Sequence, residues 1–408
     1  MKPYNLCVNR GRLIAAVMVG AFCLAATSAM ARDIPVLPEL AIAGPESMLV
    51  KSLHEISDRR IGSALNGIEH LLKTNPNFRL AHLIRGDLLL ARSRPISNMG
   101  DAAGVSPERI ADLRAEARVR VQRHQEPVPR DMVPKYLLQM SSDQKYAVVT
   151  DTGKSRLYIY QNVQGKARYL ADYYISSGKN GSQKLKEGDQ KTPLGVYFIT
   201  ANLPRAKLTD FYGSGAFPIN YPNEWDKRHG RSGYGIWLHG TPSDTYSRPP
   251  RASDGCVVLS NQDLDAVAAT LQVGITPVLI SDKVEWASPD EVIAQRNELA
   301  PHLENWRRDW ESRNADNYLA HYGHNFSSGG QDLAKWSQHK RQVNVAKSWI
   351  KVDISNVGML LYPGRDDLIV VSFDQDYSSS NLSNKMKKRQ YWMKEKNGRW
   401  KIIYEGAA

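Results

Sequence analysis

The sequence predicts a multidomain chain: an α-helical N-terminal segment, a mostly β middle domain and a C-terminal α+β unit. Three observations carry this. Apolar residues recur at three- and four-residue steps as far as Ala91. Beyond Glu126-Pro127-Val128-Pro129 they fall into short β-type runs separated by Gly, Asn, Asp and Pro. From Ser288 a long helical pattern is followed by strands alone, the order of an α+β fold.

In the first part, Leu53, Ile56, Ile61, Leu65, Ile68 and Leu71-Leu72 mark a helix that Asn75-Pro76-Asn77 breaks. A second helix opens at Phe78 and runs through Leu88 to Leu90, so the pair reads as one helical hairpin, a packing unit or docking face without chemistry. Ile110 to His124 predicts a further helix with Arg on its exposed side. The middle domain predicts strands at Tyr146–Thr150, Arg156–Tyr160, Tyr169–Ser176, Val196–Thr200, Ile236–Leu238, Val257–Leu259 and Ile275–Ile280. Its one helix, Asn261 to Leu271, is capped by Ser260 with Asp263 three residues on. The third part begins with Ser288-Pro289-Asp290-Glu291, a cap, a first-turn proline and a capping-box acid. Leu299, Leu303, Trp306 and Trp310 then share one helix face, and strands follow at 349–357, 359–362, 368–374, 389–394 and 399–404. The resulting boundaries are 1–31, 32–130, 133–283 and 288–408.

Residues 1–31 form a predicted secretory leader. Lys2, Arg10 and Arg12 precede the apolar run Leu13 to Ala26, which ends at Ala29-Met30-Ala31. The run is about 14 residues, short for a bilayer span. Cys7 and Cys23 lie in this leader, so Cys256 is the lone cysteine of the expected mature chain and an internal disulfide is excluded there. An export route implies the periplasm, where a lone thiol needs burial or a use. Of the 408 residues 54 are Lys or Arg and 42 Asp or Glu, a net charge of +12 that falls to +9 without the leader. Such an excess suits an anionic envelope polymer, and no nucleic-acid motif accompanies it. With 42% apolar residues the chain can fill cores, which excludes a disordered or collagen-like protein.

The chemistry concentrates in Tyr234-Gly-Ile-Trp-Leu-His239-Gly240-Thr241-Pro242 and in Ser253-Asp254-Gly255-Cys256-Val257-Val258-Leu259, whose Cys256 lies seventeen positions after the His. Each reactive residue sits at a predicted strand end, where a rigid sheet aims side chains into a cleft. An ordinary thiol is only a few per cent ionised at neutral pH, and an adjacent imidazole raises its nucleophilicity by pairing with it or taking its proton. His239 is the predicted base for Cys256. The amides around Asp254 and Gly255 are candidate oxyanion donors, and Ser253, Tyr234, Trp237 and Thr241 are candidate substrate contacts. His229, in the charged stretch Asp226-Lys227-Arg228-His229-Gly230, is a rival base that reads better as a surface residue. Asp254 could tune the thiol or shape a turn, and Ser253 could assist an oxyanion or only close that turn.

These residues resemble the signature of the L,D-transpeptidase catalytic domain, also called the YkuD domain: His-Gly followed by Ser-x-Gly-Cys. The likeness continues upstream through Gly188-Asp-Gln-Lys-Thr192-Pro193-Leu-Gly195-Val-Tyr197, similar to that family's Thr-Pro-x-Gly segment, and covers about Lys145 to Asp282. Carried over residue by residue, the resemblance makes Cys256 the nucleophile, His239 the general base and later acid, and the Gly240 backbone carbonyl the group orienting the imidazole. Two positions depart from the pattern: Asp254 stands where the family often has His, and Val258 where it often has Arg. The missing Arg removes a structural or substrate-carboxylate contact, which leaves the acyl acceptor open.

The last part is similar to a nuclear transport factor two-like domain, on Trp306-x-x-x-Trp310, Tyr318-Leu-Ala-His-Tyr322 and Trp400-Lys-Ile-Ile-Tyr404. Such folds form a cone whose mouth takes a small ligand or a protein partner. The order of the three parts resembles that of the L,D-carboxypeptidases that shape helical Gram-negative cells. These resemblances, with the leader, imply an exported enzyme acting on peptidoglycan stem peptides; no cofactor is expected, and no metal either, because the single Cys and scattered His lack ligand spacing. Cys256 would attack the carbonyl of the third stem residue and release the terminal D-alanine. An amine acceptor gives a transpeptidase, water gives a carboxypeptidase that trims tetrapeptides, and a non-catalytic wall-binding scaffold is the remaining class. A homo-oligomer is open. Trp306, Trp310, Trp392 and Trp400 read as core rather than sugar-binding residues. Lys385-Met-Lys-Lys-Arg389 reads as a solvated hairpin turn or a polymer-facing patch.

Overall fold

A computed structural model describes residues 44–101 and 106–408. The predicted leader, with Cys7 and Cys23, lies outside these residues. Among the described residues no helix is long and apolar enough to cross a membrane.

The N-terminal segment is built from helices Pro45–Ser57, Ile61–Thr74, Arg79–Leu90 and Pro107–Gln125. The expected first helix is therefore two helices. Arg59 takes a left-handed φ of 60° and turns the chain between them. Leu49, Ala64, Ile68, Leu71, Phe78, Leu80 and Ile84 form the buried core of this segment. Its outer face is not free. Arg120, buried on the fourth helix, pairs with Glu116 at 2.9 Å and with Glu46 on the first helix, and lies over the rings of Tyr174 and Phe78. Arg123 reaches Asp172 at 2.6 Å. These contacts weld the helices to the β domain.

The centre of the molecule is a five-stranded sheet in the order 166–174, 156–163, 146–151, 277–281, 195–198. Strand 277–281 runs parallel to 146–151 and antiparallel to 195–198. Alternation along 146–151 sends Val148 to one core and Ala147 and Val149 to another. Val148, Tyr197, Val278 and Ile280 pack with Phe217, Leu238 and Val257 of a smaller sheet and with Leu264 and Val267 of helix Asn261–Ala268. The opposite face joins a core shared with the C-terminal domain, which explains why these strands read as nearly continuous apolar runs.

Helices Pro289–Glu311, Ala315–Leu319 and Leu333–Val345 pack on an antiparallel meander of strands 350–361, 368–379, 382–394 and 400–407. The capping box at Ser288 and Glu291 forms as its residue pattern predicts. Trp306, Trp310, Trp392 and Trp400 are all buried. The two strands expected at 349–362 are one strand, bent by a bulge between Ser355 and Gly358. Lys385 to Arg389 lie in the middle of a strand instead of a hairpin turn. Lys388 is buried on Glu405 at 2.7 Å, Lys387 pairs with Asp143, and Arg389 stacks 3.8 Å over Phe198, so the cluster is consumed by internal partners.

The parts interlock. Strand Leu137–Gln139, within the range assigned to the β domain, is the edge strand of the C-terminal sheet and pairs with Met359 and Leu360. Val133–Pro134 pairs with Trp286–Ala287. Asn223 donates to the Tyr362 hydroxyl at 3.1 Å.

Removing Arg120 leaves the buried Glu116 carboxylate unpaired. Arg120→Ala is expected to cost about 3–5 kcal/mol of stability, read as a lower urea midpoint with an unchanged slope. An unchanged midpoint would show that this buried cluster contributes no net stability.

Candidate active site

The site grows from one strand pair. Trp237–His239 runs parallel to Val257–Val258, with Leu238 opposite Val257 and His239 opposite Val258. That register sets Cys256 level with Trp237. By alternation Trp237, His239, Cys256 and Val258 then share one face of the small sheet, and the thiol and imidazole are diagonal neighbours on it. Leu259 N–H donates to the His239 carbonyl at 3.0 Å and Ser176 N–H to the Val258 carbonyl at 2.9 Å, extending the ladder on both sides.

The cysteine turn is held from within and from behind. Ser253, buried, donates its hydroxyl to the Cys256 carbonyl at 2.6 Å and accepts from Gly255 N–H at 3.1 Å. Thr192, from the Thr-Pro segment, donates to the Gly255 carbonyl at 3.0 Å and accepts from Gly178 N–H at 2.9 Å. Gly255 has φ +126°, and a Cβ there would meet the Lys191 carbonyl oxygen at 2.8 Å, so the turn requires glycine.

A second brace holds the His-Gly turn. Asn261 Oδ1 accepts from Ser214 N–H at 2.9 Å and Thr241 N–H at 3.2 Å, while its amide donates to the Thr241 carbonyl at 2.9 Å. A Cβ on Gly240 would collide with that Asn261 oxygen, which explains the glycine after the histidine.

His239 is buried, and its Nδ1 lies 2.7 Å from the Gly240 carbonyl. A carbonyl only accepts, so Nδ1 carries the proton and Nε2 presents its lone pair. Burial pulls the imidazole down to about 4, against the Gly240 hydrogen bond. Cys256 is half-buried, and its Sγ donates to the Gly235 carbonyl at 3.3 Å. Desolvation pushes the thiol up to about 11, opposed by the Trp237 backbone hydrogen bond and by the charge of Arg248. At neutral pH the resting site is thus a protonated thiol beside a neutral imidazole. Burial penalises both charges of a thiolate–imidazolium pair, which therefore lies above the neutral pair.

Several sequence expectations change here. The Gly255 amide is committed to Ser253 and is not a free oxyanion donor. The Asp254 and Cys256 amides carry no hydrogen bond among the described residues. The Asp254 side chain is exposed and pairs with Lys179 at 2.9 Å and Gln190 at 3.2 Å, and its negative charge adds to the upward push on the thiol. Ser253 closes the turn, and Thr241, also buried, donates to the Tyr246 carbonyl at 3.3 Å, so both serve the scaffold rather than the substrate. Tyr234 is 77% exposed and Trp237 half-buried, which leaves both accessible. His229 ends a short helix, exposed, with Nδ1 on the Trp225 carbonyl at 2.8 Å, as a surface histidine.

Sequence reasoning missed the aromatic wall and a cation. The ring of Tyr212 lies 4.7 Å from that of Trp237 and 5.2 Å from the imidazole, and Phe211 lies 5.8 Å from His239. Arg248 stacks 4.7 Å over Phe211. Phe211 and Tyr212 sit in a short 3-10 turn with no motif, and only the fold brings them to the histidine.

A small β domain thus presents a thiol and an imidazole on one face of a parallel strand pair. Residues 145–280 match the L,D-transpeptidase catalytic domain model, and residues 298–406 the Cds6 C-terminal NTF2-like domain. The structure of Bd1075 from Bdellovibrio bacteriovorus is 30% identical with a TM-score of 0.60, over 68% of this chain and 98% of that one. The helical cell shape determining protein Pgp2 of Campylobacter jejuni is 26% identical with a TM-score of 0.57, over 67% of this chain and 95% of that one. YafK of Escherichia coli K12 is 27% identical over 138 residues, 31% of this chain and 51% of YafK. The chain thus spans about half the length of the curated relatives it matches. It belongs to the L,D-transpeptidase (YkuD) family, in the form that carries a C-terminal Cds6-type NTF2-like domain.

Because the thiol rests protonated, alkylation of Cys256 by iodoacetamide is expected to accelerate with pH up to and beyond pH 9. A rate that levels off below pH 7 would instead reveal a pre-formed ion pair.

Proposed function

We propose that the protein is an exported cysteine enzyme that cleaves the bond between the diamino acid and the terminal D-alanine of peptidoglycan tetrapeptide stems. The observation that carries this reading is the placement of Cys256 and His239 on one face of paired parallel strands, with the imidazole tautomer fixed by Gly240. Family membership supports the substrate class.

The chemistry follows from the resting protonation states. Cys256 Sγ attacks the carbonyl of the third stem residue as its proton passes to Nε2 of His239. Concerted transfer avoids the costly free ion pair. The oxyanion takes hydrogen bonds from the unengaged Asp254 and Cys256 amides, a contribution of about 3 kcal/mol for each well-placed donor. The imidazolium then protonates the departing amine of D-alanine, leaving a thioester. His239, neutral again, deprotonates the acceptor, and collapse of the second tetrahedral intermediate releases the thiol.

An amine acceptor makes the reaction a transpeptidation, and water makes it a carboxypeptidation. The second outcome is favoured by the likeness to a helical cell shape determining protein, while Val258 in place of the usual Arg leaves the acceptor open. The periplasm is the proposed compartment, on the leader pattern and on the substrate.

Cys256→Ala and His239→Ala are each expected to abolish turnover of purified tetrapeptide muropeptides with little change in thermal stability, read by mass spectrometry of the products. Tripeptides mean trimming and dimers mean transfer. Full activity in Cys256→Ala would exclude the thiol mechanism, and binding to sacculi without turnover by the unaltered protein would leave a wall-binding scaffold.

A further inference from the structure

Cations flank the nucleophile turn, and the structure separates them by what they already hold. Lys179 is paired with Asp254 at 2.9 Å, and Lys184 is buried on Asp189 at 2.8 Å. Arg248 is different. Half-buried, it makes no ion pair among the described residues, and its guanidinium rests on the face of Phe211, the ring that also flanks His239. On its other side it borders an open cavity of ≈ 720 Å³ between the N-terminal helices and segment 242–250, which Asp112, Glu116 and Asp244 also line and which neither Cys256 nor His239 reaches.

The backbone that presents Arg248 is fixed on every side. Its own carbonyl accepts from the Tyr174 hydroxyl at 2.8 Å, and the Pro250 carbonyl two residues on accepts from Ser177 N–H at 2.9 Å. The preceding Ser247 donates to buried Glu116 at 2.6 Å. Phe78 packs 4.3 Å from Tyr246, and Asn77 donates to the Ser243 carbonyl at 2.9 Å. The N-terminal helices thus clamp segment 242–250, and its one cation, Arg248, is held on the ring that flanks His239.

We infer that Arg248 is a substrate-binding residue that recognises the free terminal carboxylate of the stem peptide, the group on the residue to be released. The inference rests on the acyl-transfer reading for the identity of that residue. A partly desolvated guanidinium without a counter-charge is costly, and its planar fork matches a carboxylate through two parallel hydrogen bonds. In a peptide the terminal carboxylate lies within about 4 Å of the preceding carbonyl, so its receptor must stand close to the sulfur. Val258, buried and apolar, supplies no cation from the cysteine strand, and Arg248 provides one from a different loop. Although burial dominates the protonation of both reacting groups, the field of Arg248 reaches both, as this placement requires.

The test is calorimetric binding of the tetrapeptide, as the free acid and as its terminal carboxamide, to Cys256→Ala protein carrying Arg248, Arg248→Ala or Arg248→Lys. The acid is expected to bind the Arg248 protein at least about tenfold more tightly than the amide. That ratio should vanish in Arg248→Ala and survive in reduced form in Arg248→Lys, which retains the charge if the alanine variant fails to fold. Equal binding of acid and amide to the Arg248 protein, no binding of either, or an acid preference that persists in Arg248→Ala overturns the assignment. Turnover by the unaltered enzyme separates the two readings. Acid-selective, Arg248-dependent binding without turnover sinks the acyl-transfer proposal alone, and turnover without discrimination sinks this one alone.

Discussion

The parallel register of Trp237–His239 against Val257–Val258 is the constraint on which the site depends. A slip of one residue would send the imidazole and the thiol to opposite faces of the sheet, because side chains alternate with period two. The braces around this pair make sense as defences of that register. Thr192 and Ser253 fix the turn that ends in Cys256, and Asn261 fixes the turn that follows His239. Each is a buried polar group whose bonds are satisfied only in one geometry, which makes the scaffold specific as well as stable.

The same rigidity extends outward. The central sheet is buried on both faces, and the C-terminal sheet takes its edge strand from residues 137–139, so the catalytic and C-terminal parts share one core. On the other side, Arg120 and Glu116 lock the N-terminal helices to the loop that borders the site. A motion of either flanking part would therefore be felt at segment 242–250 or at the Thr-Pro segment. The helical part is better described as a clamp than as a free docking face.

Much of this was legible in the residues. The period change after Pro129, the capping box at Ser288 and the His-Gly and Ser-x-Gly-Cys stretches each have a local cause, and local causes survive folding. The helix break at Asp58–Arg60 shows in the residues only as one five-residue step, Ile56 to Ile61, and the left-handed Arg59 carries no turn signal of its own. The basic run 385–389 misled because its partners, Asp143, Asp376 and Glu405, lie far away in sequence or on neighbouring strands. Ser253 and Thr241 have the right chemistry for substrate contacts, but burial decides their role and composition does not encode it. Phe211, Tyr212 and Arg248 carry no motif, and they reach the histidine only through long-range packing.

The proposed chemistry requires that the Cys256 sulfur become acylated with help from the His239 ring. Intact-protein mass spectrometry after exposure to a carbapenem, followed by peptide mapping, addresses this directly. The expected result is one adduct on Cys256 that forms readily in the unaltered protein and at least about a hundredfold more slowly in His239→Ala. An adduct that forms equally fast without the imidazole, or no adduct at Cys256 at all, would contradict it.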